Sequence, residues 1–302
     1  MAKEIINNYI SVKEAADKWG LSERSVRNYC ASGRIAGAIR SSNTWKIPES
    51  SPRPARKPRD SSAGADSLIG RLRYEKDHNI SGGIYHQIQI DFAYNSNHIE
   101  GSRLSSEQTR FIFETCSIGP ADESVNVDDI VEAVNHFSCV DFLIDNYNKR
   151  LSEKMIMEFH RILKSGTSDS RKSWFKVGGY KLVGNVSGVT EFSEPEDVPH
   201  LMKELLSWYT GLSEVTFIDI LEFHHRFEMI HPFQDGNGRV GRLIMFKECL
   251  KHGFTPFIIK DPDKMFYYRG LSEWKRDRAF LEGTCMNAQG QMEALLQSVT
   301  HL

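Results

Sequence analysis

The stretch "ESSPRPARKPRDSSAGAD" at residues 49–66 decides how this 302-residue chain can divide. Its prolines at 52, 54 and 58 lack backbone donors and disfavour helix at the residue before each. The small polar residues after them show no apolar periodicity, so the segment reads as an extended, solvated linker. The residues on its N-terminal side suffice for one small module, and those on its C-terminal side are numerous enough to bury their own core. The expected organisation is therefore a domain at 1–50, a basic Pro/Ser-rich linker at 51–67 and a second domain at 68–302.

Charge divides the same way. Residues 1–60 hold 12 Lys and Arg against 6 Asp and Glu, a net of +6; the remaining 26 basic and 34 acidic residues give −8. A basic head on an acidic body suggests separate partners. No run of eighteen apolar residues occurs, so no membrane span or membrane partner is expected. "MAKEIINNYISVKEAADKWG" lacks the continuous apolar core of a signal peptide. Five scattered cysteines, with no C-x-x-C pair, argue against a disulfide framework and for a reducing, cytoplasmic location.

In the head, Ser11 and Glu14 have capping-box spacing and open a helix over "VKEAADKW". Ser22 can cap a second helix, "ERSVRNYCASG", which carries Arg24, Arg27 and Asn28. "RIAGAIRSSNTWKIP" reads as two short strands around a polar turn. Helix, turn, helix and hairpin resemble the winged helix-turn-helix domains of the MerR and excisionase type. The resemblance implies duplex DNA as a partner of residues 1–60, with the helix from about Ser22 to Ser32 in the major groove. Arg40 and Lys46 of the wing would then lie near phosphates. A protein-docking module of the same shape is the alternative.

Past the linker the periods are helical nearly throughout, with Ile84, Ile88 and Phe92 at four-residue steps in one stretch and Ser105 able to cap another. The exception, "WFKVGGYKLVGNVSGVTEFSE" at 174–194, alternates strand formers and reads as a β-hairpin. The expected fold class is mainly α, a helical bundle with a hairpin flap, preceded by the small winged domain.

"HPFQDGNGRVGR" at 231–242 carries the chemistry. Pro232 should end the preceding helix, "FIDILEFHHRFEMI", at His231, and a new helix should begin near Gly238. Gly236 and Gly238 then lie at a helix N-terminus, where free N–H groups and a positive dipole favour an anion such as a polyphosphate. Arg239 and Arg242 add charge on neighbouring positions of one face. Asp235 is a hard oxygen ligand suited to Mg²⁺ or Mn²⁺, and His231 can accept a proton. A Walker A loop is absent, so the set describes phosphoryl or nucleotidyl transfer on other lines. His224, His225 and His231 lack the spacing of a zinc pair, and the first two read as structural.

The stretch resembles the Fic motif, His-Pro-Phe-x-Asp/Glu-Gly-Asn-Gly-Arg-x-x-Arg, at every fixed position, and the likeness extends from about residue 80 to 290. It implies a protein adenylyltransferase that moves AMP from ATP to a Ser, Thr or Tyr hydroxyl of a target protein and releases pyrophosphate. By the same resemblance His231 is the general base and Asp235 holds the metal on the phosphates. Gly236, Asn237 and Gly238 form the anion hole, Arg239 and Arg242 meet the phosphates, and Phe233 completes the nucleotide site. The hairpin around Lys181–Thr190, with Lys181, Leu182, Val183 and Gly184, would dock the target segment, and Tyr267 and Tyr268 would flank adenine. "SNHIEG" matches the inhibitory motif of regulated Fic proteins: Ser96, Glu100 and Gly101 at the end of a helix over about 83–101. A carboxylate at Glu100 can pair bidentately with Arg242. UMP transfer, removal of AMP from a modified protein, or a nucleotide-responsive DNA-binding regulator are alternatives, and a homodimer is left open.

Overall fold

The computed structural model describes residues 9–20, 23–31, 35–41, 44–53, 67–119, 124–187 and 190–300. Most of the expected linker (54–66), the cap at Ser22, Ser32, the wing tip at 42–43 and the flap tip at 188–189 lie outside the described residues, as do the side chains of Arg24 and Asn28. The chain forms two compact units, Met1–Ala63 and Gly64–Leu302.

In the first unit, Ser11 caps α1 (Val12–Trp19) as its spacing predicts: its Oγ accepts from the Glu14 N–H at 3.2 Å, and Glu14 accepts from the Ser11 N–H at 2.7 Å. Val12, Ala15, Ala16 and Trp19 fall on one face and are buried. Gly20, at φ 63°, ends the helix, and α2 (Glu23–Ala31) comes next. The hairpin pairs β2 (Ile39–Ser41) with β3 (Thr44–Pro48), setting Arg40 opposite Trp45 and Ile39 opposite Lys46. A strand too short for the sequence pattern to reveal, β1 (Tyr9–Ser11), joins the free edge of β3. Val12, Ala16, Trp19, Val26, Cys30, Ile35 and Ile47 make the core.

The second unit is helical: α3 (Leu68–Asp77), α4 (Ile84–Ile99), α5 (Ser106–Thr115), α6 (Val127–Asn146), α7 (Glu153–Lys164), α8 (Val198–Gly211), α9 (Phe217–Ile230), α10 (Asn237–His252), α11 (Lys264–Glu273) and α12 (Ala279–Thr300). Side-chain caps start several of them; Ser105 with Gln108 and Thr216 with Asp219 form complete capping boxes. The central element is α10, buried from Asn237 to Cys249 and packed against α4, α6, α7 and α9. Its charged residues are therefore interior: Arg239, Arg242, Lys247 and Glu248 are each at most 3% exposed. Gly241 lets α9 approach closely, since a Cβ there would lie 2.6 Å from Glu228 Oε1 and 2.8 Å from His224 Nδ1.

The flap is smaller than the alternation at 174–194 suggests. Among the described residues only β4 (Val186–Ser187) and β5 (Thr190–Glu191) pair there. Residues 175–185 form no strand, and several of their polar groups bond the loop after α9: Lys181 N–H donates to the Pro232 carbonyl at 2.9 Å, and Asn185 Nδ2 to that of Phe233 at 3.0 Å.

Candidate active site

The chain turns between α9 and α10 through His231, a non-glycine residue at φ 51°. That conformation is uncommon for an L side chain and persists only where its surroundings hold it. Three contacts do so. The His231 N–H donates to the Phe227 carbonyl at 3.0 Å, Nδ1 lies 3.3 Å from the Glu228 carbonyl, and the ring stacks on Phe192 with centroids 4.0 Å apart. A carbonyl can only accept, so Nδ1 carries the proton and Nε2 keeps a lone pair. Burial pushes the imidazole pKa down to about 4, with Lys181 adding to the shift, so the ring is neutral at pH 7.

Beyond His231 the loop is braced from inside. Asn237 Oδ1 accepts the Phe233 N–H at 2.8 Å and its Nδ2 donates to the Phe233 carbonyl at 2.8 Å. The Asn237 side chain is thus committed to loop shape. Phe233, wholly buried, stacks on His160 at 4.0 Å with rings 3° from parallel. Gly236, at φ 85°, turns into α10 against Leu163 and Lys164.

Asp235 is 43% exposed at its side chain and takes two cations on one oxygen, Lys164 Nζ at 2.5 Å and Arg239 Nη2 at 3.1 Å from Oδ2. Burial alone would raise its pKa, but Arg239 and Lys164 hold the carboxyl well below the usual range. Glu132 of α6 pairs with the same two cations. As one exposed carboxylate, Asp235 fits a Mg²⁺ or Mn²⁺ ion that takes its other ligands from phosphate and water. Among the described residues no group of three or more His, Cys, Asp or Glu is placed to hold a metal.

Arg242 turns the other way, to the end of α4. Its Nε donates to Ser96 Oγ at 3.0 Å, and its Nη2 to the Ser96 carbonyl at 2.8 Å and to Glu100 Oε1 at 2.7 Å. The expected bidentate pair with Glu100 is therefore a single bond from Nη2, while Ser96 takes Nε and shares Nη2; Nη1 finds no hydrogen-bond partner among the described residues. A Cβ on Gly238 would run into the Glu100 carboxylate, so that carboxylate lies over the first turn of α10. Gly101, at φ 101°, turns the chain away.

The two tyrosines differ. Tyr267 is 1% exposed, and its hydroxyl bonds His224 Nε2 at 2.7 Å, so it faces the core. Tyr268 is 39% exposed, with its hydroxyl 3.4 Å from the Ile99 carbonyl. In the flap, Lys181 is buried, and Leu182 and Val183 are 55% and 51% exposed. His224 and His225 are buried, as their structural reading requires. In the first unit Arg27 pairs with Glu23 at 2.6 Å, and Arg40 and Lys46 are exposed. Sequence reasoning missed Glu132, His160, Lys164 and Phe192. Each lies tens of residues from the motif and is brought to it only by packing.

Residues 150–249 match the family model of the Fic/DOC family. Solved structures share the fold of the larger unit. A Fic domain containing signaling protein from Bacteroides thetaiotaomicron superposes with a TM-score of 0.59 over 78% of this chain and 94% of that one, at 24% identity. In sequence the chain is similar to Protein adenylyltransferase Fic of Aedes aegypti, 30% identical over 59% of this chain, and to Protein adenylyltransferase fic-1 of Caenorhabditis elegans, 28% identical over 60%. The chain spans only 36% and 35% of the lengths of those two proteins.

Proposed function

We propose that the chain is a protein adenylyltransferase restrained by its own Glu100. The hydroxyl oxygen of a Ser, Thr or Tyr, on a target protein or on the chain itself, attacks the α-phosphorus of ATP. The bond from that phosphorus to the oxygen bridging the β-phosphate breaks, pyrophosphate leaves, and the hydroxyl proton passes to His231 Nε2. His231 carries this reading: its Nδ1–H is fixed on the Glu228 carbonyl, which leaves a neutral acceptor nitrogen. Nucleotide binding alone needs no such base.

The N-terminal N–H groups of α10 around Gly238 receive phosphate charge, with Arg239 and Arg242 behind them. Asp235 holds Mg²⁺ or Mn²⁺, which neutralises phosphate charge when bound. Tyr268 offers the open ring of the two tyrosines for adenine, and residues 181–184 lie beside the motif loop, where a target segment would pass. The restraint is a competition, because Glu100 and a nucleotide phosphate both need Arg242 and the turn at Gly238.

Incubation of the Glu100→Gly variant with α-labelled and, separately, γ-labelled ATP tests the reaction. Label transferred to protein from the α position alone supports it; transfer from γ, or binding with no transfer, defeats it. UMP transfer would show with α-labelled UTP, and AMP removal with a pre-labelled protein. For the first unit, the exposed Arg40 and Lys46 on paired strands favour a second activity, binding of duplex DNA by residues 1–60.

A further inference from the structure

Lys164, the last residue of α7, is 2% exposed and places its ammonium between Glu132 and Asp235, and Arg239 bridges the same two carboxylates. Two carboxylates and two cations leave this ring without net charge. The lysine is held in place. Asn135 Nδ2 donates to the carbonyls of Leu163 and Ser165 at 2.9 and 2.8 Å, and Thr167 Oγ1 to that of Lys164 at 2.9 Å. Burying an ammonium is costly even when it is paired, and a neutral chain of the same length would fill the space. Both cations bond Asp235 at Oδ2, which leaves Oδ1 outside the pairs on a side chain that is 43% exposed.

We propose that Lys164 is a positioning residue that stands in for the divalent cation until nucleotide arrives. It turns Asp235 so that Oδ1 faces the phosphate site, and it cancels the negative charge that would otherwise hold a metal between Glu132 and Asp235 without nucleotide. The cation is then taken up together with the nucleotide, whose phosphates supply the missing negative charge. The role of Asp235 rests on the adenylyltransferase reading; the charge balance of the ring does not.

The test uses the full chain carrying Glu100→Gly, with Mn²⁺ alone as the probe, tracked by paramagnetic resonance. Lys164→Met should bind Mn²⁺ at least about tenfold more tightly than its parent without nucleotide, while AMP transfer falls at least about tenfold. Adding Glu132→Gln removes the excess charge again and should return Mn²⁺ binding to the parent level. A variant damaged only in packing would not bind metal more tightly, and Lys164→Gln provides a second neutral side chain should the methionine variant fail to fold. Equal Mn²⁺ affinity in parent and neutral variants, or undiminished transfer by them, overturns the proposal. A parent that transfers no label from ATP defeats the adenylyltransferase reading instead, and the Mn²⁺ comparison still decides Lys164.

Discussion

As the proposed base, His231 meets two demands that pull against each other. A strong base wants a high pKa, yet this imidazole is pushed down to about 4 by burial. The gain is that it is almost wholly unprotonated at pH 7, ready to accept from a hydroxyl. A base works in its neutral form, so transfer should be lost only as pH falls through about 4, well below the ordinary histidine value near 6.5. The kcat/KM profile of Glu100→Gly checks this, and an acid limb at 6.5 would mean a solvated ring. His231→Ala in the same background should cut transfer about 10²-fold or more while leaving nucleotide affinity nearly unchanged, as label transfer beside calorimetry would show. His231, Asp235 and Arg242 were legible because the motif confines them to twelve residues. Lys164 was not: a lysine near a helix end ordinarily marks a solvated helix terminus, and only the packing of α6 and α7 under the loop makes it interior.

Between elements, two contacts decide the outcome. Glu100 ends α4, and Glu100→Gly deletes the carboxylate over Gly238 without touching the nucleotide-facing groups. Transfer should rise by about a hundredfold, since displacing the reacting phosphate by about 1 Å has that scale, and ATP affinity should change much less. Equal, high activity in wild type and variant would remove the restraint. At the α9–α10 crossing, Gly241→Ala gains about 1 kcal/mol of helix propensity but forces a methyl against Glu228 and His224. Overpacking costs about 1–3 kcal/mol, so the expected result is a net loss in denaturant midpoint. The helices were readable from their caps, as with Ser11, Ser105 and the Pro232 stop. The flap was not, because "KVGGYKLVG" has strand-like alternation but its Lys181 and Val183 N–H groups bond the motif loop, a partner about 50 residues away.

For the whole molecule, charge and proton balance govern behaviour. Residues 1–60 carry the basic excess and should bind duplex DNA with an affinity that falls steeply with salt. A mobility-shift titration showing no complex at about 50 mM salt would leave the head as a protein-docking module. Stability should also vary with pH. Burial lowers His136, His160 and His224 to about 3, so each is neutral when folded and takes a proton near 6.5 only when unfolded. Their contribution is complete above 6.5 and is lost as pH falls toward 3. Glu228, raised to about 8 by burial, works the other way between its unfolded value and 8, but it is one group against three. Urea melts should therefore show lower stability at pH 5 than at pH 7, by about 1 kcal/mol per pH unit or more. A flat profile would contradict neutral interior histidines.

Glu100 reaches Arg242 from within its own chain, 142 residues away in sequence but 2.7 Å in space. A carboxylate held this way acts at a fixed local concentration that dilution cannot lower, unlike an inhibitor supplied by a second molecule. The degree of silence should thus be the same at nanomolar and micromolar protein. Under the proposed restraint ATP still binds but with its reacting phosphate displaced, so relief should come from something that bends or displaces the last turn of α4.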